Sequence, residues 1–589
     1  MAKESGSAFD LGLLRRILAS TKPYRKTFFG TGIAAILLTV FSLYTPMILR
    51  EIVDKAIKLK DSEYLLTLSL AMLGVLLGQV VCQVLFTFYA NWLGETVIKD
   101  MRKDLFNRML GFRMEYYNKS SIGVLVTRAV ADMQRIGEIF SQGFFMIVAD
   151  LLKMLAASVI MLVLNWKLAL IVFAILPVIL YATRVFQKKM KVAFTEVRTQ
   201  VANLNSFVQE RLTGMKVVQL FNREGLESAN FREINKKHQD AWLKTVWYNS
   251  FFFPIAEIVS AIGIGLVAWY GVLQDITDPQ TQNLGNIFAF ILLIEMLFRP
   301  LRQIADKFNT LQMGMVAAGR VFKILDTEIR IEDSGDVEVA HMAGTISFQS
   351  VHFSYVPGEE VLHGISFDLK PGEKVAIVGA TGAGKSTIIN LLNRFYDIDS
   401  GHIRIDGTDI KQFRLASLRR NIAVVLQDVF LFADTIAHNI SLQDSDIRQE
   451  DIEAAAKVIG VHDFISSLPG GYQYNVKERG TMLSGGQRQL IAFLRAYMRN
   501  PSVLVLDEAT SSVDSYTEQL IQKATEKVTE GRTSIIIAHR LATVKRVDKI
   551  IVMDKGQVVE MGTHEELLQK KGYYDALYEA QFRVEEEQI

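Results

Sequence analysis

The sequence predicts a membrane domain of six α-helices followed by an α/β P-loop nucleotide-binding domain. Three observations predict it: a hydrophobic content of 50% with a mean hydropathy of +0.21, six long apolar runs in the first 325 residues, and a glycine-rich phosphate loop at residues 379–387. The length of 589 residues exceeds one ordinary core. We expect a transmembrane domain over residues 1–325, a linker over 326–343 and a nucleotide-binding domain over 344–589.

Charge and cysteine content exclude several classes of function. The chain has 65 basic and 63 acidic residues, so no basic excess indicates nucleic acid as a partner. The single cysteine, Cys82, excludes an intramolecular disulfide and gives no indication of a cysteine-based metal site. The first ten residues are polar and lack the apolar segment of a signal peptide, so we expect the first span to target the chain.

Six apolar segments have the length that crosses a bilayer, about 20 residues. The segments between spans two and three and between spans four and five are rich in Lys and Arg, which indicates the cytosol. An even number of spans places the N-terminus and the nucleotide domain on one side, and ATP is cytosolic. We therefore expect a multi-pass protein of the cell (inner) membrane with both of these parts in the cytosol. The spans are residues 27–48, 64–88, 139–164, 168–185, 251–272 and 287–301.

Polar segments flank the spans. Residues 9–20 predict an amphipathic helix at the inner membrane surface, with Arg15 and Arg16 near lipid headgroups. The long segments 95–135 and 187–244 are helix-like and mostly polar. We expect them to extend the spanning helices into the cytosol rather than to form loose loops.

The phosphate loop carries the strongest functional signal. It fits the pattern G-x-x-x-x-G-K-[ST] and lies between an apolar strand and a helix. Glycines let consecutive N–H groups face the phosphates, and the helix N-terminus adds partial positive charge. Lys385 is expected to reach the β and γ phosphates and Ser386 to bind Mg²⁺. The expected ATP contacts are Gly379, Thr381, Gly382, Ala383, Gly384, Lys385, Ser386 and Thr387.

A second apolar strand, residues 502–506, is followed by two carboxylates. Asp507 is expected to hold Mg²⁺ through water, and Glu508 to polarise the water that attacks the γ-phosphate. A strand end with solvated acids is the alternative interpretation.

The segment Leu483-Ser484-Gly485-Gly486-Gln487 opens another helix and makes a second N-terminus suited to an anion. With this signature the chain resembles the ABC transporters, because the phosphate loop, the signature and the Asp-Glu strand follow in that family's order. The resemblance covers nearly the whole chain and is to the exporter type. It implies that Ser484, Gly485, Gly486 and Gln487 close over ATP held by a second nucleotide domain.

The resemblance implies further roles for single residues. Tyr355 would stack on adenine, with a core tyrosine as the alternative. Gln427 would contact Mg²⁺, and Asp514 would lie on a loop that crosses the interface between the two domains. His539 would contact the γ-phosphate and act with Glu508 in catalysis. Two segments, residues 114–120 and 210–222, match the positions of the family's coupling helices.

A dimer is also implied, because this chain contains one nucleotide domain and the family closes two around ATP. A homodimer is favoured, since Lys385, Ser484, Glu508 and His539 are all present and would complete two ATP sites. The alternative is the intact subunit of a heterodimeric multidrug exporter.

Ionisable residues at membrane depth are candidates for a substrate cavity. Asp150 and Lys153 are three apart in span three, and Glu295 and Arg299 are four apart in span six, so each pair is expected to share a helix face and neutralise its charges. Glu257 lies in span five. Structural pairs within the bundle are the alternative interpretation, and Glu257 with Glu295 mildly favours cationic compounds.

These observations together predict ATP-driven export of an amphipathic drug or lipid by alternating access. ATP and Mg²⁺ are the expected cofactors. The expected partners are a second half-transporter, membrane lipid and a small amphipathic substrate. A membrane protein that uses ATP only as a gate is the alternative from another class.

Overall fold

The computed structural model describes residues 10–57, 60–277, 284–329, 333–507, 515–538 and 541–581. The chain separates into two units. One unit comprises residues 1–110 and 121–327, and the other comprises residues 111–120 and 328–589. The short segment 111–120, between two parts of the first unit in sequence, therefore clusters with the nucleotide domain.

Long α-helices form the first unit, and six of its described helical segments are long and apolar enough to cross a membrane. Four of them contain a proline within the helix, as membrane helices tolerate: Pro46, Pro177, Pro254 and Pro300. Up to residue 325 the helices are α1 Leu11–Ala19, α2 Arg25–Glu51, α3 Ser62–Leu110, α4 Met114–Lys119, α5 Ile122–Thr127, α6 Met133–Glu138, α7 Phe145–Leu164, α8 Trp166–Thr213, α9 Met215–Leu220, α10 Glu224–Thr277 and α11 Leu284–Leu325, with a 3₁₀ turn at Lys22–Tyr24 and π-helical segments at Ile52–Ile57, Arg128–Asp132 and Ile139–Phe144.

Three helices are much longer than a bilayer is thick. Helices α3, α8 and α10 contain 49, 48 and 54 residues, which corresponds to about 75 Å at the helical rise. A bilayer core of about 30 Å accounts for less than half of that length. The remainder continues as polar helix, as the sequence predicts. The apolar parts of α8 and α10 pack with α7 and α11 around buried residues such as Val267, Phe290 and Phe298.

Helix α1 is tied to the end of α11. Asp10 caps α1, and Leu14 and Ile17 are its buried residues. The Arg16 guanidinium donates to both carboxylate oxygens of Asp326, at 2.6 Å each, and lies 4.0 Å from the centre of the Phe322 ring. A carboxylate and an aromatic face of the same unit thus hold the Arg16 charge, and its position near lipid headgroups stays a prediction.

The second unit contains a parallel-stranded core. Its strands are β1 Ile346–Val356, β2 Glu359–Leu369, β3 Lys374–Gly379, β4 Ser400–Ile405, β5 Thr408–Asp409, β6 Ile422–Val425, β7 Val503–Asp507, β8 Thr533–Ile537, β9 Lys549–Asp554 and β10 Gln557–Gly562. Its helices after residue 328 are α12 Lys385–Leu392, α13 Leu415–Asn421, α14 Ile436–Ser441, α15 Gln449–Ile459, α16 His462–Ser466, α17 Gly485–Met498, α18 Ser515–Thr529, α19 Leu541–Val544, α20 His564–Lys570 and α21 Tyr573–Gln581, with 3₁₀ turns at Gly471–Gln473 and Glu478–Gly480.

Two sheets organise these elements. The larger has the order β10-β9-β3-β8-β7-β6, in which only the β9–β10 pair is antiparallel. The smaller, β2-β1-β4-β5, is antiparallel. Strands β3, β7 and β8 are almost entirely buried, as continuous apolar runs in parallel sheets are. The carboxyl ends of β3, β6, β7 and β8 therefore meet at one edge, and the predicted fold class is confirmed.

Candidate functional site

The phosphate loop joins β3 to α12 at this edge, and glycine is required at both of its ends. Gly379 has φ 152°, and a Cβ there would lie 2.2 Å from the carbonyl oxygen of Met553. Gly384 has φ 97°, and its Cβ would lie 2.7 Å from Leu362 Cδ2. Any other side chain at either position would open the turn that brings the loop against α12.

The loop presents positive charge on one side. Among the described residues no side chain caps the N-terminus of α12, so its partial positive charge is available to an anion. Lys385 is buried, and its Nζ donates to the carbonyl oxygens of Gly379 (2.7 Å) and Ala380 (2.9 Å). Burial lowers the pKa of Lys385, and the negative charge of Asp507 opposes that shift. An uncapped helix start beside a buried ammonium fits a polyphosphate.

Neighbouring strand ends bring the other predicted residues toward the loop. Asp507 ends β7 and is in register with Ile537 of β8, and Gln427 is exposed two residues after β6. Glu508 directly follows Asp507, and His539 lies two positions after Ile537, but both are outside the described residues, as is Asp514. Strands β7 and β8 therefore end side by side at this edge of the sheet.

The predicted Mg²⁺ site has few protein ligands among the described residues. The described residues contain no group of three His, Cys, Asp or Glu side chains that could hold a metal. Ser386, Gln427 and Asp507 supply a hydroxyl, an amide and a carboxylate. This set fits Mg²⁺ bound jointly by a few protein oxygens, phosphate oxygens and water, which is how the ion is usually held in nucleotide sites.

Tyr355 contacts the helix that follows the phosphate loop. Its hydroxyl donates to Thr387 Oγ1 (3.3 Å) and accepts from Asn390 Nδ2 (3.0 Å). Its ring is half-buried and meets the Tyr396 ring edge-on, with centroids 5.0 Å apart. These contacts hold the tyrosine beside α12 and leave part of its ring exposed, so they accommodate both adenine stacking and a packing role.

The signature segment forms a capping box at the start of α17. Ser484 Oγ accepts from the Gln487 N–H (3.2 Å), and Gln487 Oε1 accepts from the Ser484 N–H (2.9 Å). Ser484 and Gly485 are exposed, whereas Gly486 is buried. Because the serine oxygen acts as the acceptor in this bond, its own O–H can still donate to another group.

Sequence reasoning missed a link between α4 and the nucleotide domain, both within the second unit. Asn118 Nδ2 donates to the Tyr396 hydroxyl (2.7 Å), and Arg113 forms an ion pair with Asp397 (3.0 Å). Tyr396 in turn contacts Tyr355, so a short path of side chains joins α4 to the proposed adenine residue. Only the fold brings these residues together, and no local pattern in the sequence indicates it.

A separate polar cavity of about 670 Å³ lies within the first unit, between α2, α3, α7 and α11. Asp150, Lys153, Glu295 and Arg299 line it and Glu257 does not, and the role of these residues in binding a substrate stays a prediction. Its remaining polar lining residues are Thr39, Ser42, Thr45, Gln79, Gln83, Gln303 and Lys307.

The charge pairing in this cavity differs from the prediction. Asp150 forms its ion pair with Lys307 rather than with Lys153. In the described part of the chain, no ion pair joins Glu295 to Arg299 within 4.0 Å. Lys307 escaped the sequence analysis because it lies one and a half helical turns beyond the apolar stretch of span six.

Comparison with known protein families gives matches in both units. The family described as "ABC transporter transmembrane region" matches residues 28–301, and the family described as "ABC transporter" matches residues 362–511. The second match includes the phosphate loop, the signature segment, Asp507 and Glu508.

Relatives resemble the chain over nearly its whole length. The uncharacterized ABC transporter ATP-binding protein YknV of Bacillus subtilis (strain 168) is 35% identical over 98% of this chain and 95% of its own length. The ATP-dependent lipid A-core flippase of Thiobacillus denitrificans is 34% identical over 97% of this chain and 98% of its own length. A solved structure of a bacterial Atm1-family ABC exporter with ATP bound superposes with a TM-score of 0.74 at 28% identity, over 95% of this chain and 98% of that chain.

Proposed function

Because the chain belongs to the ABC transporter family and is a multi-pass membrane ATPase whose activity is coupled to transport, we propose that it exports an amphipathic substrate, a drug or a lipid, out of the cell. The observation that carries this proposal is that six spans, a phosphate loop and a signature segment occur on one chain. The names of its relatives, a lipid A-core flippase and an Atm1-family exporter, support the direction and the amphipathic class.

We assign the ATP site as follows. When ATP binds, Lys385 Nζ no longer donates to the carbonyl oxygens of Gly379 and Ala380 and donates to β- and γ-phosphate oxygens instead. The N–H groups at the start of α12 bind the same phosphates. Ser386, Gln427 and Asp507 would hold Mg²⁺, which would supply positive charge next to the phosphates. Glu508 orients and deprotonates the attacking water, and His539 contacts the γ-phosphate. Tyr355 stacks on the adenine.

The proposed assembly is a homodimer. The second coupling helix, α9, and the residue after it expose Leu220 (68%) and Phe221 (70%). The nucleotide domain separately exposes Phe430 (54%) and Phe432 (58%) after Gln427. Two apolar patches of this kind on one chain are typical of surfaces that a partner covers. A second copy of the chain carries the same two apolar patches, so a symmetric homodimer can cover all of them. A heterodimer needs another protein with matching patches.

In this dimer the cycle is one of alternating access. Lys385 of one subunit and the partner subunit's Ser484 bind the same ATP, which draws the nucleotide domains together. The coupling helices transmit that closure to the spans, so that the cavity opens outward. ATP drives the change only because it binds the closed state more tightly than the open one. Hydrolysis at Glu508 resets the transporter. We place the N-terminus and the nucleotide domain in the cytosol, and the spans in the inner membrane.

The purified chain alone, reconstituted in liposomes, tests this proposal. ATP hydrolysis that responds to some members of a panel of amphipathic drugs and lipids would support a self-sufficient homodimeric exporter. A well-folded, ATP-binding chain without hydrolysis would instead mean that the second half is a different protein.

Removing the hydroxyl of Tyr396 is expected to weaken coupling between α4 and the ATP site. Tyr396→Phe keeps the ring contact with Tyr355 but loses the hydrogen bond from Asn118, which is worth about 1 kcal/mol. We expect the ratio of substrate-stimulated to basal ATPase activity to fall by about fivefold, with the basal rate unchanged. Asn118→Ala should have the same effect.

Tyr474→Phe is the matched control for this prediction, because it removes one phenolic oxygen elsewhere in the same domain. Its stimulation ratio should equal that of the parent. An unchanged ratio in both Tyr396→Phe and Asn118→Ala would show that this contact does not transmit substrate binding.

A further inference from the structure

We infer that the cavity in the membrane unit binds amphiphiles through an anionic headgroup, such as a phosphate, rather than the cationic compounds that Glu257 and Glu295 favour in the sequence alone. The inference rests on the proposed export function and names its substrate class. Three observations support it: the net charge of the cavity lining, the ion pair already formed within the lining, and the neutral polar groups beside the charged ones.

The cavity lining carries more positive than negative charge. Its ionisable residues are three cations and two carboxylates: Lys153, Arg299, Lys307, Asp150 and Glu295. Glu257, which would have balanced the count, is exposed elsewhere on α10. At membrane depth an excess cation is costly, because lipid provides no counter-charge, and such residues usually serve binding or transport.

One carboxylate is already used within the protein. Asp150 and Lys307 form an ion pair, with side chains only 20% and 18% exposed. Lys153, one turn of α7 away, lies close enough for its charge to interact with Asp150, Arg299 and Lys307. Asp150 therefore interacts with both Lys307 and Lys153, and the three cations of the lining exceed its two carboxylates by one charge, which a bound anion would neutralise.

Glu295 does not remove this excess. It lies four positions before Arg299 on α11, yet the two form no ion pair within 4.0 Å in the described helices. A cationic headgroup would have to approach Glu295 within a lining whose net charge is positive. An anionic headgroup would instead meet an ammonium and a guanidinium, and Arg299 offers the paired N–H geometry that phosphate oxygens accept.

Neutral groups complete a headgroup site with an apolar margin. Gln79 and Gln83 add amide N–H donors to the lining, whereas the Ser42 hydroxyl already donates to the Leu38 carbonyl oxygen. Thr45 Oγ1 is buried there with no hydrogen-bond partner in the described part of the chain. Leu38, Leu76, Phe86, Met146, Leu292 and Met296 form the apolar part of the lining. A volume of about 670 Å³ holds a headgroup and part of an alkyl chain.

Three amphiphiles with the same alkyl chain and different charge test the inference. Dodecyl phosphate, dodecylphosphocholine and dodecyltrimethylammonium are added below their micellar concentrations to the intact transporter in liposomes, and ATPase activity is followed. We expect dodecyl phosphate to stimulate at the lowest concentration. Lys153→Gln and Arg299→Gln should each raise its half-stimulating concentration by about tenfold, because each loses a charge-assisted hydrogen bond.

Glu295→Gln is the matched control, since it removes one charge of opposite sign from the same cavity. It should leave the half-stimulating concentration of dodecyl phosphate unchanged or lower it. Lys153→Arg and Arg299→Lys keep the positive charge and should retain most of the response, which separates loss of charge from loss of folding. Comparing each variant with the parent at one lipid concentration cancels differences in membrane partitioning.

Two results would overturn the inference in different ways. Preferential stimulation by dodecyltrimethylammonium, weakened by Glu295→Gln and not by Lys153→Gln, would show a cation-binding cavity and leave the export function intact. If none of the three amphiphiles, nor any compound of the wider panel, alters ATPase activity or is transported, the export function itself fails, and this inference fails with it.

Discussion

Lys385→Met is expected to lower ATP hydrolysis by about 100-fold or more without lowering the melting temperature measured in the absence of nucleotide. The activity is lost because the ammonium no longer neutralises the β- and γ-phosphates. Stability is kept because the folded protein gains little from this charge. Lys385 is buried against the carbonyl oxygens of Gly379 and Ala380, and burial lowers its pKa.

The sign of the stability effect follows from that pKa. A lysine whose folded pKa lies below its unfolded value is disfavoured as a cation in the folded state, and at neutral pH folding must bear that cost. Methionine has a similar length and no charge, so it removes the cost while filling the same space. The melting temperature is expected to stay equal or to rise slightly.

Differential scanning fluorimetry with and without ATP, beside an ATPase assay, checks both parts. The parent should be stabilised by ATP, and Lys385→Met should lose most of that shift, because a ligand stabilises only the state that binds it. Lys370→Met, at an exposed lysine directly after β2, is the matched control and should behave as the parent. A fall in melting temperature without nucleotide would mean that Lys385 has a structural role as well.

Local patterns made the fold predictable. Apolar runs of bilayer length predict the spans directly, and the glycine pattern before Lys385 predicts a strand, a loop and a helix in that order. The capping box at the start of α17 could also have been predicted, because Ser484 and Gln487 have the required spacing of three. Each of these features depends on residues that are close together in the sequence.

Side-chain partners far apart in the sequence could not be predicted. Asp150 is 157 positions from Lys307, Asn118 is 278 from Tyr396, and Arg16 is 310 from Asp326. Each pair exists only because helix packing or domain structure brings two elements together. The sequence analysis therefore paired Asp150 with its helical neighbour Lys153, the nearest opposite charge along the chain. Because Lys307 lines the cavity and Glu257 does not, the lining carries a net positive charge instead of the net negative charge of the predicted set.

Glu508→Gln is expected to leave ATP binding intact and to abolish both hydrolysis and transport. Glutamine has the same shape and still accepts a hydrogen bond, but it cannot take a proton from the attacking water, and this step contributes about 10²–10⁴-fold to the rate. In the sequence Glu508 directly follows Asp507, which ends β7 at the sheet edge where the phosphate loop begins. The variant should therefore hold ATP and remain in the closed dimer.

This variant separates an exporter from a protein that uses ATP only as a gate. An exporter needs hydrolysis to reopen, so a transporter held closed by ATP completes at most one transport event and net flux stops. A gate needs only the binding energy of ATP, so its flux would persist or increase in Glu508→Gln.

Parallel assays of ATP binding, ATPase activity and substrate flux in liposomes distinguish the two. Glu565→Gln, at an exposed acid in the first turn of α20, should leave all three unchanged. If flux continues in Glu508→Gln after hydrolysis has ceased, the protein is an ATP-gated pathway and not an exporter. That result would leave the roles of the ATP-binding residues unchanged.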